Sequence, residues 1–90
     1  MNIKQKSGIL SWTEDNIKNA SNESGVFILR TSPTTDSIKF IEASQYLKDA
    51  LLIKIKDASI SEIKFFDWYT THTFDEAKKL ANDWTEKYIS

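Results

Sequence analysis

The chain has 90 residues, 12 basic against 13 acidic, no cysteine and 40% hydrophobic residues. That composition is too apolar for a disordered chain, and it excludes a disulfide framework, a thiolate zinc site and a cysteine nucleophile. The even charge balance lacks the basic excess that marks most nucleic-acid binders, and no window approaches the ~20 apolar residues of a membrane helix. The length predicts a single domain over 1–90, and the N-terminal MNIKQKSGILSW has no apolar run of signal-peptide length. The expectation is a cytoplasmic protein.

Residues 1–10 offer little to pack and are expected to form a flexible arm. In SWTEDNIKNA, Ser11 and Glu14 have capping-box spacing, and Trp12, Ile17 and Ala20 share a face. This predicts a short helix over about 13–20, ended by the polar run SNESG. GVFILR is a compact apolar run entered through Gly25, and it reads as a buried strand. A turn cluster around Pro33 separates it from SIKFIEA, whose alternation predicts a second strand and hence a hairpin.

Ser44 is placed to cap the helix QYLKDALLIKIK, with Leu47, Leu51 and Ile55 as its apolar stripe and Ala50 beside them. DASISE reads as a loop. IKFFDWYT carries large side chains on both faces, which predicts a third strand covered on both sides. Thr73 and Glu76 form a second capping box before a helix with Phe74, Ala77, Leu80, Ala81, Trp84 and Tyr88 at helical spacing. The predicted fold is α/β: a small three-stranded sheet flanked by helices, in the order α-β-β-α-β-α.

The order hairpin–helix–strand–helix, with G-V-F at 25–27 and F-I-E-A-S-Q-Y-L-K-D-A-L at 40–51, resembles the GIY-YIG nuclease domain over roughly 12–89. FFDWYTT followed by EAKKLANDWTEKY is similar to that family's third strand and closing helix. The resemblance implies phosphodiester hydrolysis by two tyrosines, an arginine and a metal-binding glutamate. Those groups are substituted here: Phe27 and Phe40 stand at the tyrosine positions, Glu42 at a glycine, Ala50 at the arginine and Ala81 at the glutamate. A Phe ring packs like Tyr but neither donates nor accepts a proton, and Ala neither neutralises a phosphate nor binds a metal. Loss of one electrostatic stabiliser commonly costs ~10²–10³ in rate. The sequence therefore points to a GIY-YIG-like scaffold without catalytic residues, metal or cofactor, acting as an interaction module with a protein partner.

Two alternatives are carried. The first is a nucleic-acid-binding domain that keeps the family cleft, and the second is a divergent metal-dependent endonuclease. Arg30 and Lys48 are candidate replacement cations, and Asp83 is a carboxylate near the Ala81 position. Lys39 or Lys48 is the expected partner of Glu42. Arg30, Lys39, Lys48 and Asp83 make the candidate binding surface. Lys48, Lys54, Lys56 and Lys64 also form a broken basic strip, but lysines alternating with apolar residues usually mark a solvated face. His72 lacks a second ligand or orienting acid nearby and reads as a solvated loop residue.

Overall fold

The structure is a computed structural model and describes residues 3–57 and 60–89. It is an antiparallel sheet of five strands with three helices: β1 Ile3–Lys6, β2 Leu10–Ser11, α1 Glu14–Lys18, β3 Gly25–Arg30, β4 Ile38–Ser44, α2 Leu47–Ile55, β5 Phe65–Thr71 and α3 Phe74–Tyr88. The strand order is β1-β5-β3-β4, with β2 also pairing β5. The α/β class and the predicted hairpin of β3 with β4 both appear, and β3 lies between β4 and β5.

The three-stranded sheet and the flexible arm are both corrected. Described residues of the predicted arm pair along the outer edge of β5, from Ile3 opposite Thr71 to Leu10 opposite Phe66. Gly8, at φ 74°, occurs at the break between β1 and β2, a backbone conformation that favours glycine. Beside it the Ser7 N–H donates to the Trp68 carbonyl at 3.0 Å, and the Ser7 Oγ accepts from the Trp68 N–H at 3.0 Å. All four β1 side chains are exposed, so no burial pattern could announce the strand. Its contribution is main-chain pairing for an edge that would otherwise be open.

Alternation along the three long strands builds two cores. On one face Phe27, Leu29, Phe66 and Trp68 meet Ile17 from α1 and Leu47 and Leu51 from α2. Trp12 sets its ring edge against Phe66 at 5.2 Å between centroids. Ile60, in the segment read as loop, and Ile63, read as the start of the third strand but lying just before β5, are buried in the same cluster. On the other face Val26, Ile28 and Ile41 pack on Ala77, Leu80 and Ala81 of α3. Tyr69 and Trp84 make a second edge-on pair at 4.8 Å. β5 is thus covered on both faces, as its sequence predicts.

At Gly25 the β3 backbone lies hard against β5. A Cβ there would lie 2.1 Å from the Tyr69 carbonyl oxygen and 2.7 Å from Leu47 Cδ1, so no larger residue fits.

Helix ends differ from the sequence reading in two places. α1 is capped by Thr13, whose hydroxyl accepts from the Asn16 N–H, and not by Ser11, which belongs to β2. Ser11 pairs with Phe65 in the sheet, and that tertiary pairing overrides the local capping signal. α2 starts after Tyr46 with no side-chain cap, while the Ser44 Oγ accepts from the Tyr46 N–H at 3.1 Å and so shapes the turn instead. The α3 capping box forms as read: the Thr73 hydroxyl accepts from Glu76 N–H, and the Glu76 carboxylate accepts from the Thr73 N–H at 3.1 Å. Among the described residues, no helix is long and apolar enough to cross a membrane.

Candidate functional site

The hairpin register sets Phe27 opposite Glu42 and Leu29 opposite Phe40. The chain then turns at Ser44 and Tyr46 and sends α2 back over β4. This leaves an open hollow of about 210 Å³ between strand and helix, lined by Phe27, Glu42, Ser44, Ala50, Ile53 and Lys54, with Ala43 at its rim. Ala50 is the small α2 residue on this side of the sheet, whereas the Ala43 side chain packs with the α3 cluster on the other face.

Three of the five positions that the sequence comparison singled out, Phe27, Glu42 and Ala50, converge on this hollow. Phe40 lies beside it, beneath Lys54, whose Nζ is 5.6 Å from the ring centre. Ala81 does not join them: it packs in the α3 core on the opposite face of the sheet.

Lys54 is the cation of the hollow. Its Nζ sits 3.1 Å from Glu42 Oε2, an oxygen that is buried and has no aligned hydrogen bond, so the ion pair is its partner. The pair is part-exposed, which limits it to about 1 kcal/mol or less. Sequence proximity pointed to Lys39 or Lys48 for this role, but the return of α2 antiparallel to β4 selects Lys54. Lys39 is exposed at the β4 bulge, where Arg30 pairs with Ile38 and the register shifts, and Lys48 does not line the hollow.

Arg30 is withdrawn from any surface role. It is 5% exposed on the α3 face and grips Asp67 with two bonds, Nε to Oδ1 at 2.9 Å and Nη2 to Oδ2 at 3.1 Å. Its Nη1 donates to the Thr34 carbonyl at 3.1 Å, pinning the hairpin loop. The hydrogen bond to Asp67 raises the guanidinium pKa in spite of burial. Burial, and then the hydrogen bond the Tyr69 hydroxyl donates to Asp67, push the phenol well above its ordinary range. This phenol is locked as a donor and is no base. The pair was legible in principle: one Arg closing an apolar strand and one Asp inside FFDWY are opposite charges in two buried strands.

Asp83 and His72 are exposed, the latter giving its N–H to Glu76 Oε1 at 3.1 Å. Among the described residues no group of three or more His, Asp or Glu side chains is placed to hold a metal ion. Phe66 and Trp68 are core, so they offer no stacking platform for bases. What the hollow offers chemically is an apolar recess with a neutralised charge pair at its side. Among the described residues, its lining includes no phenol, guanidinium or imidazole.

No protein-family model, curated protein or solved structure matches this chain.

Proposed function

We propose that this chain is a GIY-YIG-like domain without nuclease chemistry, working as an interaction or scaffold module. Support comes from the hairpin–helix–strand–helix order of Gly25 to Tyr88, with β3 flanked by β4 and β5. One observation carries the reading: the hollow where Phe27, Glu42 and Ala50 meet holds no proton-transfer phenol, and its cation is already occupied by Glu42. A phosphate approaching there meets a carboxylate and an aromatic ring, with nothing free to stabilise its charge. The absence of cysteine supports a cytoplasmic setting.

Incubation with branched, nicked and single-stranded DNA in Mg²⁺ or Mn²⁺ is expected to give no cleavage. Cleavage that disappears in Asp83→Ala would overturn the reading in favour of a divergent nuclease.

A further inference from the structure

The hollow is lined in part by β4, which among the described residues is the long strand at the edge of the sheet, with no neighbour beyond it. Its free main-chain groups follow from the hydrogen-bond alternation. The Thr71 N–H donates to the Ser24 carbonyl at 2.9 Å, so Val26 and Ile28 turn their main-chain groups toward β5 and Phe27 and Leu29 turn theirs toward β4. Glu42 and Phe40, opposite Phe27 and Leu29, therefore bond to β3. Ile41 and Ala43 present their N–H and C=O groups outward. Above this edge runs α2 with Ile53, 73% exposed, at the mouth of the hollow.

Resting on the interaction-module reading, we infer that an extended segment of a partner protein adds to the sheet along β4, with one apolar side chain seated in the hollow. A strand edge calls for main-chain partners, which an extended peptide supplies and a nucleic acid or a membrane does not. The recess is sized for one Leu or Phe side chain, since an apolar cavity of ~150 Å³ already admits benzene. Side chains alternate along a strand, so the residues beside the anchor point away from the hollow.

Charge sets which end of the peptide carries an acidic residue. α2 runs back over β4, so its last turn lies near the start of the strand, as the contact of Lys54 with Phe40 records. Lys54 and Lys56 end the helix there and Lys39 stands at the bulge, against Glu42, which Lys54 occupies, and Asp57. Lys39 has no ion-pair partner among the described residues. An acidic residue at that end of the peptide complements it. The Lys39 bulge also twists the strand edge, which disfavours indiscriminate pairing and leaves the hollow to select the ligand.

The test is selection from a phage library of short random peptides, followed by titration of the enriched peptides into isotope-labelled protein. The expected result is an apolar anchor with an acidic residue to one consistent side of it, with the amide signals of Ile41, Ala43 and Ile53 moving on binding. Ala50→Leu, which fills the hollow, is expected to weaken binding at least ~10-fold with an unchanged melting temperature. Should that variant unfold, Ile53→Asp at the exposed rim serves in its place. Lys39→Glu is expected to weaken binding several-fold at low salt and little at high salt.

Failure to enrich any peptide, or enriched peptides that leave the β4 amides unmoved, would overturn the inference. If enriched peptides move only β1 or α3 amides, this docking site is wrong while the module reading stands. If a branched DNA oligonucleotide moves the β4 amides and the peptides do not, both fall.

Discussion

Arg30 on β3 and Asp67 on β5 meet diagonally across the central strand pair as a two-pronged ion pair, 6% and 1% exposed in their side chains. Both strands are otherwise apolar there, so each charge is tolerated only because the other is present. Breaking the pair with Arg30→Ala strands the Asp67 carboxylate and is expected to cost about 3–5 kcal/mol in urea unfolding. The double replacement Arg30→Met with Asp67→Leu removes both charges and is expected to recover most of that loss. Equal destabilisation of the single and double variants would show that the pair is not the reason.

The Tyr69 phenol donates to the same Asp67 and has its pKa raised by burial. The folded state therefore holds this proton more tightly than the unfolded chain, whose phenol titrates near pH 10. The contribution is intact below pH 10 and drains away as the pH rises through and beyond it. Chemical unfolding at graded alkaline pH is expected to show a steeper loss of stability for the native chain than for Tyr69→Phe. Parallel slopes would contradict the assignment.

Gly25→Ala is expected to lose at least about 3 kcal/mol, because the new methyl meets backbone atoms that cannot swing aside. Thermal melting of the variant checks this, and a change of only a few degrees would show that β3 and β5 can part locally.

Thr73→Ala removes one half of the α3 capping box and is expected to cost about 1 kcal/mol. Glu76→Ala removes the other half, and the two losses are expected to combine to less than their sum, since the box is reciprocal. Denaturant midpoints of the two single variants and the double variant measure the coupling.

Much of the fold was legible where local signals and burial agreed. GVFILR and FFDWYTT are dense runs of branched and aromatic residues, and the α3 stripe carries a helical period; each appears as an element close to its predicted bounds. β1 was invisible because a strand that buries no side chain leaves no mark in hydropathy. Its pairing depends on β5, more than fifty residues later. Ser11 and Ser44 carried capping signals that lost to sheet pairing and to a turn, respectively. The candidate site was half legible: Phe27, Glu42 and Ala50 were singled out and do meet, whereas Arg30 and Ala81 lie on the other face. Strand parity separates Phe27 from Arg30, and it is readable, but which helix covers which face is not.

What the sequence determined by itself is the alternation of side chains along β3, β4 and β5 and the amphipathic register of α3, because those periods are properties of the local backbone. The tertiary structure decided which charges meet, Lys54 with Glu42 and Arg30 with Asp67, and which strand edge was left open. Those outcomes depend on how distant segments close on one another, and no local window carries that information.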